Sequence, residues 1–146
     1  MLKINKKVEY ALMALKYMAQ KDEGSLTSAR EICEKFNIPF DTTAKVLQIM
    51  NNKNILVSTK GLKGGYTLAK SLDQINFIDI VEMVEGIETE MYCQNQKGLC
   101  DLYHSCNIVT PIDQLNRKVH TYLESLTLSE LLLEKKDSLS TLGERI

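Results

Sequence analysis

Two adjoining stretches decide the fold: SAREICEKFNIPFDTTAKVLQIMNN at residues 28–52 and ILVSTKGLKGGYTLA at residues 55–69. In the first stretch apolar residues recur every three or four positions, which predicts two amphipathic helices joined by a very short turn around Ile38-Pro39. The second stretch holds two runs of strand-forming residues, 55–60 and 66–69, around a glycine-rich connection that permits a tight hairpin. The predicted order is therefore helix, turn, helix, hairpin.

Further helical patterns flank this unit. Asn76, Thr110 and Thr127 are helix-capping residues at the start of three of them, and Gly24 and Gly86 are predicted stops. Within the unit itself, Ser28 and Glu31 form a capping box at the start of the first helix. The predicted fold class is mainly α with a small β-hairpin wing, that is, a winged helix-turn-helix domain plus a long dimerisation helix. The flanking helices are predicted at about 6–24, 76–86, 110–126 and 127–133.

The chain divides into three predicted parts. Residues 1–72 form the winged helix-turn-helix domain, 73–133 the dimerisation helices with a cysteine-bearing loop at about 87–109, and 134–146 a polar tail. Near-heptad spacing of apolar residues on the long helix suits a seam against the same helix of a second copy, so we expect a homodimer. The predicted seam is Ile112, Leu115, Val119, Tyr122 and Leu126.

The charge is divided along the chain. The net charge is −1, yet residues 1–70 hold 12 Lys and Arg against 6 Asp and Glu, a net of +6. Residues 71–146 hold 6 against 13, a net of −7. The basic half could meet phosphates, which favours a nucleic-acid partner for the helix-turn-helix.

The N-terminus lacks the apolar run of a signal peptide, and no stretch approaches membrane-spanning length, so we expect a cytoplasmic protein without a membrane partner. In that reducing compartment the four cysteines are better explained by metal binding or redox chemistry than by disulfides. No phosphate loop, nucleophile elbow or pair of histidines on one helix face is present, so an enzyme is not expected.

A helix-turn-helix with a basic hairpin places its second helix in the major groove of double-stranded DNA and its wing along the backbone. On the exposed side of that helix, Thr42, Lys45 and Gln48 offer donors and acceptors for base edges and phosphates. The alternative is that such a unit is a protein-interaction module or scaffold. The full set of predicted DNA-contacting residues is Ser28, Asp41, Thr42, Lys45, Gln48, Lys60, Lys63 and Gly64.

Cys93, Cys100 and Cys106 have the spacing C-x6-C-x5-C, which is wider than the hairpin of structural zinc sites and favours an iron-sulfur cluster. Three thiolates leave a four-site cluster one ligand short, and incomplete cysteine ligation makes a cluster labile. A dithiol switch, plain surface thiols or a zinc site with His104 remain as alternatives. Cys33 lies on an apolar helical stripe and is predicted to be a core residue.

With these residues assembled, the sequence resembles the Rrf2 family of bacterial regulators over almost the whole chain. The wing string is the most specific match. The resemblance is carried by VEYAL (8–12), AKVLQ (44–48), GLKGGYTLA (61–69), the three-cysteine loop and LTLSELL (126–132).

The resemblance implies a dimer on a palindromic promoter site, with a 2Fe-2S or 4Fe-4S cluster in each cysteine loop. It further implies repression that is modulated by nitric oxide, redox state or iron-sulfur supply. IscR-like members carry a histidine three residues after the third cysteine, whereas this chain has Val109. In NsrR-like members an acidic residue of the partner's first helix completes the cluster, and Glu9 occupies that position here. The alternative is a cluster-free member that uses a thiol switch or a small-molecule signal.

Overall fold

The computed structural model describes residues 3–86 and 100–133, and the predicted tail and residues 87–99 of the predicted loop lie outside them. The described part is mainly helical with one two-stranded antiparallel hairpin, so the predicted fold class is confirmed. The elements are α1 (Lys6–Ala19), α2 (Ala29–Phe36), α3 (Phe40–Asn52), β1 (Leu56–Thr59), β2 (Gly65–Leu68), a 3-10 turn (Leu72–Gln74), α4 (Phe77–Glu85), α5 (Val109–Ser125) and α6 (Leu128–Leu132).

Helix α1 lies at the centre of the molecule and contacts α3, α4 and β2. The Asn5 side chain caps its start by accepting a hydrogen bond from the Lys7 N–H at 2.9 Å. The predicted end at Gly24 is wrong, because the helix stops at Ala19. There the Gln20 N–H bonds to the Tyr17 carbonyl at 3.2 Å and tightens the last turn.

Helices α2 and α3 form the helix-turn-helix. Ser28 caps α2 as predicted, with its Oγ accepting from the Glu31 N–H at 3.1 Å. Asn37 adopts the left-handed conformation at φ 52° and ends the helix, and the Ile38 N–H then bonds to the Cys33 carbonyl at 3.2 Å. This short left-handed turn fixes the direction in which α3 leaves α2.

The carboxylate of Glu31 does not complete the capping box but reaches across to α1. It accepts a hydrogen bond from the Tyr17 hydroxyl at 2.7 Å and one from the Lys21 ammonium at 2.9 Å. The Lys21 ammonium also donates to the Leu26 carbonyl at 3.0 Å. These contacts hold α2, the first helix of the helix-turn-helix, against the end of α1.

The hairpin formed by β1 and β2 pairs Leu56 with Leu68 and Thr59 with Gly65. The outer edge of β2 is held near the turn by two backbone hydrogen bonds between Thr27 and Tyr66, at 3.0 and 2.8 Å. The wing is thereby joined to the segment just before α2.

The later helices return to the same core. Asn76 is the N-cap of α4 as predicted, and the Asp79 carboxylate accepts a hydrogen bond from the Asn76 N–H at 3.2 Å. Helix α5 begins at Val109 with Ile108 before it, so the prediction of Thr110 as its cap is wrong. Pro111 falls inside the first turn of α5, where a missing N–H costs nothing because the turn has no partner for it.

One continuous hydrophobic core joins the elements. Leu128 of α6 is fully buried, and its N–H bonds to the Ile75 carbonyl at 2.8 Å, which docks the last helix beside the start of α4. The buried apolar residues are Val8, Ala11, Ala14, Leu15, Met18, Ile32, Val46, Leu47, Met50, Ile55, Leu56, Leu72, Ile75, Phe77, Ile80 and Leu128.

The Glu31 contacts predict a pH-dependent stability. Hydrogen bonds from Lys21 and Tyr17 hold the pKa of the Glu31 carboxyl below its ordinary 4.5, so their stabilisation is present above that pH and is lost as the pH falls. We expect Glu31→Gln to lower the free energy of unfolding by about 1 kcal/mol at neutral pH, since the side chain is partly exposed. The loss should shrink as the pH is lowered toward about 3.

Urea unfolding of the wild type, Glu31→Gln and the control Glu34→Gln, measured across that pH range, tests this expectation. Glu34 is an exposed carboxylate on the same helix. An equal loss in both variants, or a Glu31→Gln loss that does not depend on pH, would contradict the assignment.

Candidate DNA-binding surface and cysteine segment

Helix α3 presents a polar face away from the core. On its buried side the Thr43 hydroxyl is satisfied, because it donates to the Pro39 carbonyl at 2.7 Å. The outer side of α3 does not pack on the core. It carries the predicted base-contacting residues, of which Asp41, Lys45 and Gln48 are exposed and Thr42 is half-buried.

Ser28 has a structural role, because it is the N-cap of α2. Its Oγ accepts the Glu31 N–H, but the hydroxyl hydrogen stays available, since a hydroxyl both donates and accepts. A phosphate contact by Ser28 is thus compatible with capping and stays a prediction.

The wing exposes both predicted lysines, Lys60 and Lys63. Gly64 is required by the hairpin itself, because a Cβ at this position would overlap the Thr59 carbonyl oxygen. Its N–H donates to the Gly61 carbonyl at 3.0 Å and is used inside the turn. A contact between Gly64 and DNA would therefore use close approach of the backbone rather than this amide.

Two further exposed residues, not predicted as site residues, lie on the helix-turn-helix. Arg30 and Phe40 are exposed and line a shallow depression of about 420 Å³ between α2 and the start of α3. Cys33 lines the same depression and is half-buried, so its assignment to the core is wrong. Ile32 is the residue of α2 that points into the core. Because successive side chains of a helix point in different directions, Cys33, one residue later, lies beside the core.

The segment before α5 carries two of the three clustered cysteines. Cys100 is exposed and Cys106 is half-buried, and both are free thiols. The Tyr103 N–H bonds to the Cys100 carbonyl at 3.1 Å, which winds this segment into turns. Cys93 lies outside the described residues. Within residues 3–86 and 100–133, no group of three or more His, Cys, Asp or Glu side chains is placed to hold a metal ion.

The predicted fourth ligand, Glu9, is half-buried on α1, and its carboxylate lies 2.6 Å from the Lys6 ammonium. Both partners are partly exposed, and such surface ion pairs contribute about 0 to 1 kcal/mol. Replacing the Lys6 ammonium by another partner of the Glu9 carboxylate therefore costs little free energy. His104 is exposed and packs edge-to-face on Tyr103, with 5.5 Å between the ring centroids.

Helix α5 exposes an apolar stripe of Leu115, Val119 and Tyr122. Ile112, at one end of the predicted seam, is half-buried. Leu126, at the other end, packs against the hydrophobic core, so its assignment to the seam is wrong. The chain turns at Leu126 to start α6, which draws this side chain inward.

The model of the Rrf2 family, described as iron-dependent transcriptional regulators, matches residues 4–134. The chain belongs to the Rrf2 family. It is therefore a transcriptional regulator with a DNA-binding winged helix and not an enzyme, as the sequence analysis predicted. Members of the family bind DNA and are typically dimeric. None of the helices in the part of the chain that the structure describes is both long and apolar enough to span a bilayer.

This Rrf2 regulator is 28% identical over 132 residues to an HTH-type transcriptional regulator of Aquifex aeolicus (strain VF5), covering 88% of this chain and 91% of the relative. Its fold is similar to that of CymR, the global cysteine regulator of B. subtilis, with a TM-score of 0.70, 24% identity and coverage of 90% and 97% of the two chains. It is also similar to T. potens IscR, with a TM-score of 0.63, 21% identity and coverage of 90% and 86%.

Proposed function

We propose that this Rrf2 regulator is a homodimeric repressor whose promoter binding is controlled by an iron-sulfur cluster on Cys93, Cys100 and Cys106. The observation that carries the DNA-binding part is the outer face of α3, where Lys45 and Gln48 are exposed, together with the two exposed lysines of the wing. We assign residues 1–72 to DNA binding and 73–133 to dimerisation and sensing. A regulator of this kind works beside the chromosome, which supports a cytoplasmic location.

Different residues perform different parts of DNA recognition in this proposal. Thr42, Lys45 and Gln48 contact base edges in the major groove, because amide, hydroxyl and ammonium groups match the donors and acceptors there. Asp41 accepts a hydrogen bond from a base amino group at the start of the same helix. Phosphates are contacted by the hydroxyl of Ser28, by Lys60 and Lys63, and by the close backbone approach at Gly64.

The apolar stripe on α5 supports dimerisation. Leu115, Val119 and Tyr122 are exposed at spacings of three and four residues, so they form one face of the helix. A second copy of α5 packed against this face would bury all three from water. Two-fold symmetry of that contact then matches an inverted-repeat site on DNA.

The cysteine segment fits an iron-sulfur cluster by the chemistry of its donors. Thiolates are the ligands that these clusters take, and Cys106 is half-buried directly before α5 while Cys100 is exposed. Glu9 of the second copy is proposed as the fourth ligand, and its weak pair with Lys6 leaves it able to move. When bound, the cluster supplies a centre that reacts with oxidants or nitric oxide.

A route from the cysteine segment to DNA runs through α1. Glu9 is on α1, which packs directly on the recognition helix α3, and α5 reaches the same core through α4. A change at the cluster would therefore shift α1 and α5 relative to each other and alter the distance between the two recognition helices. This coupling requires that DNA and cluster bias the same two states of the dimer.

A thiol switch is the second candidate function, and it is favoured by a specific observation. Cys100 and Cys106 are close in sequence, free and at least partly exposed, as oxidation-sensing thiols need to be. In this case the chain would hold no cluster, and oxidation of these thiols would change DNA affinity directly.

The wing assignment predicts a change in salt dependence. Lys60→Ala and Lys63→Ala should each weaken binding to all sequences and reduce the slope of log affinity against log salt by about 1. Thr42→Ala or Gln48→Ala should alter sequence preference instead. Fluorescence anisotropy with the full chain, at several salt concentrations, measures both effects.

The matched control is Lys118→Ala, which removes an exposed lysine from α5. Its salt slope should equal that of the wild type. Unchanged slopes in both wing variants would remove the wing from the DNA interface.

The cluster proposal predicts a coloured protein. The protein purified without oxygen should be brown and contain iron and acid-labile sulfide. Replacing any one of Cys93, Cys100 and Cys106 by alanine should remove most of the colour, the iron and the sulfide. Cys33→Ala, the control, should keep them because Cys33 lies in the α2–α3 depression. The measurement is an absorption spectrum with iron and sulfide analysis.

A colourless, iron-free wild type would contradict the cluster. If that protein lost DNA affinity on thiol oxidation, and a Cys100→Ser/Cys106→Ser double variant did not, the thiol switch would be supported instead.

A further inference from the structure

Leu62 at the tip of the wing is the most exposed large hydrophobic residue of the described chain. Its relative exposure is 109%, against 66% for the next, Leu102. A leucine with no cover at all leaves the whole of its apolar surface in water, so a partner that covers this surface gains its burial.

The hairpin holds Leu62 outward. Leu62 and Lys63 are the two central residues of a turn that is closed by the hydrogen bond from the Gly64 N–H to the Gly61 carbonyl at 3.0 Å. Gly61 has φ +122°, a value that side chains disfavour, and the two strands approach too closely at Gly64 for any Cβ. The tip is therefore a tight turn with little freedom to fold over.

The hairpin is anchored both near its turn and at its base, so Leu62 cannot reach the core by bending the hairpin. The Thr27 and Tyr66 backbones are doubly hydrogen-bonded, and the Ala69 N–H bonds to the Ile55 carbonyl at 2.9 Å. Leu56 on β1 is 1% exposed and fixes the strand to the core. Burying Leu62 within its own chain would break these contacts.

The charges beside Leu62 identify the chemistry of the partner. Lys60 precedes it by two residues and Lys63 follows it directly, and both lysines are exposed. An apolar tip between two ammonium groups complements a surface with negative rims and an apolar interior. The minor groove of DNA is such a surface, with phosphates along both edges and stacked bases between them.

We propose that Leu62 is a wedge that enters the minor groove and partly unstacks one base step, which kinks the DNA while Lys60 and Lys63 bind the flanking phosphates. An apolar side chain inserted in this way is buried against the bases, and the bent DNA contacts more of the protein surface. This inference rests on the proposed DNA binding of the wing.

The wedge adds a source of sequence specificity. Pyrimidine–purine steps unstack most easily, so TA or CA/TG steps at the wing position of the operator should be favoured without any hydrogen bond to their bases. Leu62 is then a specificity-determining residue that acts through DNA shape.

The test compares wild-type chain, Leu62→Ser and Leu62→Met on a duplex selected from random sequence by the wild type. Leu62→Ser should bind about tenfold more weakly, because the burial of one leucine is lost. Its salt slope should be unchanged, since no phosphate contact is removed. Leu62→Met should bind like the wild type, because methionine is also an apolar wedge.

A fluorescent base analogue at the wing step reports unstacking directly. Its emission should rise on binding of wild type and Leu62→Met but not of Leu62→Ser. All three proteins should have the same Tm, because Leu62 is uncovered in the folded chain. Equal affinity and equal emission for Leu62→Ser and wild type would overturn the wedge, whereas a wild type that selects no duplex would overturn the proposed function itself.

Discussion

The close packing of α1 against the rest of the molecule is the constraint on which the other features depend. Ala11 and Ala14 are fully buried, and their small side chains let neighbouring helices approach the α1 backbone closely. The recognition helix, α4 and one strand of the wing all contact this helix. Because a packed core of this kind tolerates neither voids nor added volume, α1 fixes where the DNA-binding parts stand relative to the later helices.

Separate contacts orient each DNA-binding part, and none of them uses the outer face of α3 or the wing tip. The carboxylate of Glu31 ties α2 to α1, the left-handed Asn37 sets the turn into α3, and the Thr27–Tyr66 bonds hold the wing. The groups proposed to bind DNA are thus free of structural roles, apart from the cap at Ser28 and the close packing at Gly64. This separation allows substitutions on the DNA-binding surface to change recognition while the fold is kept.

The sequence predicts local features of this fold well because they depend on neighbouring residues. Ser28, Asn76 and Thr127 begin their helices as expected, and the hairpin lies within one residue of its predicted bounds. Features that depend on contacts between residues distant in the sequence could not be predicted from the sequence. The periodic pattern places Cys33 and Leu126 on apolar faces, but only packing decides that Cys33 is half-buried beside the core and that Leu126 packs against it. For the same reason the exposure of Leu62, which depends on the rigidity of the whole hairpin, has no signal in the sequence.

The proposed symmetric dimer presents two recognition helices and two wings to DNA, at a separation that the α5 contact sets. Selection of bound duplexes from a random library by the chain of residues 1–146, followed by sequencing, tests this arrangement most directly. We expect an inverted repeat whose half-sites are centred about 10 base pairs, or a multiple of one helical turn, apart. A single enriched half-site, or no enriched sequence, would contradict the account.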